Sequence, residues 1–145
     1  MKYFIAEKVK SIIDEDLPLY SNLSNASAVI NTIGNVNWCG FYIAEGEVLY
    51  VGPFQGEAAC TRIPFGKGVC GTAAARKASV IVPDVHAFEG HIACSAISAS
   101  EIVVPILKNG EVMAVIDIDS PSLSRFDAAI CAELEECAEI LSALF

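Results

Sequence analysis

Apolar residues follow the helical period in the first third of the chain. Phe4, Ile5, Val9, Ile12 and Ile13 recur at that spacing, Pro18 interrupts it, and Leu19, Leu23, Ala26, Val29, Ile30 and Ile33 resume it. Gly34-Asn35 is a stop for this second helix. Beyond it the pattern predicts strands over Trp38 to Ala44 and Glu47 to Val51, joined by Glu45-Gly46. Gly68 to Lys77 reads as a short Ala-rich helix, and Ser79 to Val82 as a short strand ended by Pro83-Asp84. A stronger hairpin joins Glu101–Leu107 to Glu111–Ile118 through Asn109-Gly110, whose tolerance of positive φ suits a tight turn. Pro105 lacks an N–H and so belongs at an edge, a bulge or a position facing away from its neighbour. Ser124-Arg-Phe-Asp127 reads as a capping box that opens a last helix to about Leu144, with Ile130, Leu134, Cys137, Ile140 and Leu141 on its apolar face. Helices at both ends thus bracket a mostly antiparallel sheet, an α+β domain with helices on one face. No repeat, low-complexity tract or linker divides residues 1–145, so the chain is expected to be one domain.

At 145 residues, 54% of them apolar, the chain suits a folded globule with a full two-layer core. No apolar stretch is long and charge-free enough to span a bilayer, which removes the membrane as a partner. The start, Met1-Lys-Tyr-Phe-Ile-Ala-Glu-Lys, turns acidic too early for a signal peptide, so the expected location is the cytoplasm. A net charge of −9, with Arg76-Lys77 the one adjacent basic pair, argues against nucleic acid.

In a cytoplasmic chain the six cysteines are read as thiols. There is no Cys-x-x-Cys, and two histidines complete no familiar zinc cluster, so no metal is expected. Cys131 and Cys137 sit in the apolar C-terminal helix and Cys39 in a strand, where packing is the better reading. Cys60, Cys70 and Cys94 lie in residues 52–94, a long stretch with little regular structure, which inside a compact domain signals a lid or binding loop. Buried small hydrophobes would be the plain reading of any one of these three alone. The run Met113-Ala-Val-Ile-Asp-Ile-Asp119 is the least expected feature. Alternation along a strand puts Asp117 and Asp119 on one face and Ile116 and Ile118 on the other. Either the strand leaves the core into a loop here, or the two acids form a pocket wall that grips an ammonium group or donates a proton. Trp38 and Tyr42 share a face in the same way, as core or as pocket walls. His86 and His91 read first as loop-capping residues. Gly66-Lys-Gly68 lacks the spacing of a phosphate loop, and no cofactor is expected.

Read in order, these motifs identify a family. Asn37-Trp-Cys-Gly-Phe-Tyr42, Gly52-Pro-Phe-Gln-Gly56, Ala59-Cys-Thr-Arg-Ile-Pro-Phe-Gly66, Gly68-Val-Cys-Gly-Thr-Ala73, Asp84-Val-His-Ala-Phe88, Gly90-His-Ile-Ala-Cys94, Ser100-Glu-Ile-Val-Val-Pro105 and Ile116-Asp-Ile-Asp-Ser-Pro121 resemble the free methionine-(R)-sulfoxide reductases. These are single GAF domains, and the resemblance runs from about Asn37 to Ile140. It implies a GAF-like antiparallel sheet of about six strands, with N- and C-terminal helices on one face and active-site loops on the other. It also implies reduction of free methionine-(R)-sulfoxide through a redox-active disulfide, recycled by thioredoxin, in the defence against oxidative stress. By the same resemblance Cys94 is the nucleophile and Cys60 the resolving thiol, while Cys70 is a second disulfide partner or an accessory thiol. Glu101, Asp117 and Asp119 line the pocket, Glu101 or Asp119 donating the proton, and Trp38 and Tyr42 enclose the substrate's methyl end. Two residues depart from the family pattern: Cys39 stands for an aliphatic residue and Ser95 for the Asp after the nucleophile. A GAF-type sensory module for a small ligand is the alternative, but it lacks an output domain and would leave the acids and thiols unexplained. A dimer through the terminal helices stays open.

Overall fold

The computed structural model describes residues 4–145. The reading of the first eight residues therefore falls partly outside the described residues. Two helices, α1 (Ile5–Ile12) and α2 (Leu19–Ile30), are followed by strands β1 (Trp38–Glu45), β2 (Val48–Gly56) and β3 (Arg62–Pro64). Helix α3 (Gly68–Arg76) and strand β4 (Val80–Val82) precede the hairpin of β5 (Ser100–Lys108) and β6 (Glu111–Ser120), and α4 (Ala128–Ser142) closes the chain. The six strands form one sheet in the order β3-β2-β1-β6-β5-β4, antiparallel throughout. The α+β class, the strand number and the terminal helices agree with the expectation.

One sheet face makes the main core. Ile102, Val104 and Ile106 of β5 and Ile116 and Ile118 of β6 meet Leu23 and Ile30 of α2 and Ile130, Leu134 and Leu141 of α4. Each such buried aliphatic contributes about 1.5–3 kcal/mol, so this face supplies most of the drive to fold. The opposite face carries α3, whose Val69, Ala73 and Ala74 pack with Tyr42, Leu49 and Val103. Among the described residues, no helix is long and apolar enough to cross a membrane.

The structure corrects three local readings. Strand β2 does not stop at Val51 but runs to Gly56, because a bulge absorbs Gly52 and Pro53. Gly40 pairs with Phe54 and Tyr42 with Val51, so Gly52 and Pro53 together oppose Phe41, and a proline is tolerated there. Residues 62–64 form a further strand within the expected loop. The cap of α4 is Asp127, which accepts a hydrogen bond from the Ile130 N–H at 2.9 Å. Ser124, with φ of 52°, is in the left-handed region, where an N-cap residue does not sit. Pro105, in turn, falls beyond the stretch of β5 that β4 covers, which is an edge as its missing N–H requires.

The corrected cap has a measurable consequence. Asp127→Ala should cost about 1 kcal/mol in chemical denaturation, the usual worth of such a cap, whereas Ser124→Ala should cost almost nothing. Equal losses in both variants would restore Ser124 as the cap.

Candidate active site

Strand register builds the floor of the site. On β6, Asp119 lies opposite Trp38 of β1 on one side and Glu101 of β5 on the other. Asp117, two residues earlier, lies opposite Gly40 and Val103. Alternation sends Ile116 and Ile118 into the helix-side core and both aspartates to the other face, as expected. Gly40 has no room for a side chain, since a Cβ there would stand 2.3 Å from that of Phe54. Phe54 stacks on Trp38 at 5.0 Å, and Trp38 lies 5.7 Å from Tyr42, ring centre to ring centre. The polar tips of these rings then reach the loop beyond β2. Trp38 Nε1 donates to the Glu57 carbonyl at 3.1 Å and the Tyr42 hydroxyl to the Cys60 carbonyl at 3.0 Å. Thus the aromatic wall also holds the segment that carries Cys60.

Helix α3 and the loop after β4 cover this floor. Gly71 permits a close approach to β3, because a Cβ would come within 2.4 Å of the Pro64 carbonyl. That approach seats Cys70 against the acids. Cys60 and Cys94 are joined in a disulfide across 34 residues, with Cα atoms 5.5 Å apart. Cys70 is a free, buried thiol. A cavity of about 220 Å³ is lined by Trp38, Tyr42, Cys70, Cys94, Glu101, Asp117 and Asp119. All the residues expected at the site are therefore brought together, Cys60 through its bond to Cys94.

The sequence reading did not single out Asn37 and did not distinguish the two histidines. Asn37 lines the cavity, donates from Nδ2 to Ser98 Oγ at 3.0 Å, and leaves its buried Oδ1 without a donor. Its place immediately before Trp38, where the strand enters the site, was the available signal. His91 also lines the cavity, with Nε2 3.7 Å from Glu101 Oε1. His86, by contrast, is 75% exposed and pairs with Asp84 in a loop. Arg62 is exposed on β3 and does not line the cavity.

The cavity lining includes no Lys or Arg. Asp117 Oδ1 and Asp119 Oδ1 are buried without a donor. Burial pushes Glu101, Asp117 and Asp119 well above the ordinary carboxylate range, and each is raised further by the charge of a neighbouring acid. Burial, then the Asp117 charge, raises Cys70 too, so its thiol keeps its proton. His91 is lowered by burial. Its contact with Glu101 does not reverse this because a protonated Glu101 offers no negative charge. The floor can therefore do two things: hold a proton near neutral pH, or compensate a bound cation. One thiol–carboxyl group is also compact enough for a metal, with ligand atoms of Cys70, Glu101 and Asp117 all within 4.8 Å of one another.

These shifts make stability depend on pH. The folded values lie above the ordinary 3.8 of Asp and 4.5 of Glu. The contribution to stability is thus fully present below that range and is lost as pH rises through the raised values. Asp117→Asn should raise the melting temperature by a few degrees at pH 7, with the gain vanishing below pH 3.8. A pH-independent difference would mean that Asp117 titrates alike in the folded and unfolded chain, against its raised folded value.

The sequence model of the GAF domain family matches residues 21–144. The Bacillus subtilis protein named YtsP is 46% identical over 94% of this chain and 86% of its own length. The free methionine-R-sulfoxide reductase of Saccharomyces cerevisiae is 48% identical over 83% of this chain and 72% of its own length. The free methionine-R-sulfoxide reductase of Neisseria meningitidis, solved in complex with its substrate, superposes with a TM-score of 0.92 at 41% identity. That match covers 97% of this chain and 86% of the other.

Proposed function

We propose that this chain, which belongs to the GAF domain family and within it to the free methionine-(R)-sulfoxide reductases, reduces free L-methionine-(R)-sulfoxide to L-methionine. The observation that carries the reading is the Cys60–Cys94 disulfide, with Cys94 on the wall of a cavity floored by three carboxyls. In the reduced protein the Cys94 thiolate attacks the sulfoxide sulfur while a carboxylic acid, Glu101 or Asp119, protonates the departing oxygen. Methionine leaves, and Cys94, oxidised by two electrons, holds the oxygen as a sulfenic acid. The Cys60 thiol then attacks the Cys94 sulfur, releasing water and forming the disulfide. A thioredoxin-type dithiol returns two electrons and two protons, and both cysteines are thiols again. Cys70 stands apart from this pair as an accessory thiol.

The cavity favours a free amino acid. At about 220 Å³ it is smaller than the cavities that hold drug-sized ligands. Three buried oxygens without donors, Asn37 Oδ1, Asp117 Oδ1 and Asp119 Oδ1, match the three N–H donors of an α-ammonium. Trp38 and Tyr42 would flank the methyl end. A sensory role for an anionic ligand is disfavoured, since no cationic Lys or Arg side chain lines the cavity to meet a phosphate. Four free thiols fit a reducing compartment, the cytoplasm, and the exposed Tyr20 and Leu17 at the α1–α2 corner leave a dimer through this end open.

The first test compares sulfoxide diastereomers, free and within a peptide, with a thioredoxin recycling system. Turnover should be confined to the free R form, and Cys94→Ser should abolish even one turnover without reductant. Cys60→Ser should keep that first turnover and lose rapid recycling. Methionine released by Cys94→Ser would sink the assignment.

The second test divides the acids. Asp117→Asn should weaken substrate binding roughly 10- to 100-fold through a lost ammonium contact. The proton donor's amide, at position 101 or 119, should instead slow single turnover by about 10²–10⁴. Wild-type binding and rates in all three amides would place the substrate elsewhere.

A further inference from the structure

We infer that Cys70, Glu101 and Asp117 form a site for one thiophilic divalent cation of the Zn²⁺ or Cd²⁺ type. Its position on the cavity floor makes that cation a competitor of the substrate's ammonium group. Three observations carry this. The Cys70 sulfur and a carboxylate oxygen from each acid lie within 4.8 Å of one another, all three residues buried. Tetrahedral zinc with bonds of about 2.0–2.3 Å puts its ligand atoms roughly 3.3–3.8 Å apart, so small side-chain movements suffice. Asp117, only 5% exposed, lines the cavity and has a buried oxygen without any donor. Finally, Cys70 is the cavity thiol outside the disulfide, free and buried.

The donor set selects the metal. One thiolate with two carboxylates suits a borderline or soft cation, whereas Mg²⁺ and Ca²⁺ want six or more oxygen ligands. Three protein ligands leave the fourth tetrahedral position open, and here it faces the cavity that Cys94 also lines. On binding, the thiol and any protonated carboxyl release their protons to solvent. The dication then meets three negative ligands where the apo site holds protons. Metal binding itself is independent of the proposed reductase activity; inhibition by the metal rests on it.

The test uses the full chain with its Cys60–Cys94 disulfide intact, so that neither of those sulfurs can contribute. CdCl₂ titrated into the protein should produce a one-to-one thiolate-to-cadmium ultraviolet band, with ZnCl₂ competing for it. Cys70→Ser should remove the band, Glu101→Gln should weaken binding at least tenfold while leaving the sulfur in place, and Cys131→Ser should change nothing. Circular dichroism confirms that each variant is folded. Added free methionine should weaken cadmium binding at least tenfold. A missing band, a band that survives Cys70→Ser, or a band lost in Cys131→Ser would each overturn the site, and an affinity indifferent to methionine would overturn the competition with the substrate's ammonium. A cadmium band without sulfoxide reduction would leave the metal site standing and sink the enzyme reading, and the converse result would do the reverse.

Discussion

Two-residue alternation along β6 is the constraint on which the rest depends. One strand gives Ile116 and Ile118 to the helix-side core and Asp117 and Asp119 to the opposite face. A slip of one residue would exchange the two sets, placing carboxyls among the aliphatics of α2 and α4. Burying an unpaired charge costs several kcal/mol, as much as two or three well-buried isoleucines contribute. Register is therefore enforced by the apolar face, and the acid face follows from it. Pairing with β1 and β5 then adds Trp38 and Glu101 beside Asp119 without any further requirement. The site is a by-product of a well-specified sheet.

The acids remain costly, and the protein retains them where they are partly compensated. Burial and the charge of a neighbouring acid raise each of the Asp117, Asp119 and Glu101 carboxyls, which favours protons among them. On the proposed reading, a bound ammonium would supply the missing positive charge and also the missing donors. Tension of this sort, with oxygens left open in the absence of ligand, is what stability traded for binding looks like. Around the acids the walls are rigid. Stacked Phe54 and Trp38, the Tyr42 hydroxyl on Cys60, and the disulfide itself tie the cover to the floor.

What the sequence made legible follows the range of the interactions. Local periodicity revealed the helices, the β5–β6 hairpin and the common face of Asp117 and Asp119, because each depends on neighbours a few residues away. The pairing of Cys60 with Cys94 came from family likeness; no local rule brings together two cysteines 34 residues apart. Asn37 escaped, and His91 could not be told from His86, because their places in the lining arise only when β1, β5 and the loop after β4 meet. Gly52-Pro53 looked like a strand end, and only the pairing partner Phe41 reveals a bulge. Ser124 and Asp127 are both good caps in composition. The left-handed turn at Ser124, a product of how the chain enters α4, decides between them.

Six thiols in a redox protein raise a problem of specificity, and position in the fold answers it. Cys39 and Cys137 lie in the helix-side core, where burial raises both, Cys137 to about 12. At such values almost no thiolate exists at neutral pH, so neither reacts quickly with an oxidant or a disulfide. Cys70 is held protonated first by burial and then by the charge of Asp117. The acids that would receive the substrate's ammonium thus also protect the thiol beside them. Cys60 and Cys94 alone are carried by loops over the sheet, half-buried, where a thiolate can be solvated and the two sulfurs can meet. Oxidation is directed to that pair less by special activation than by suppression at every other buried thiol. The same sheet that segregates apolar from acidic side chains therefore also separates inert cysteines from reactive ones.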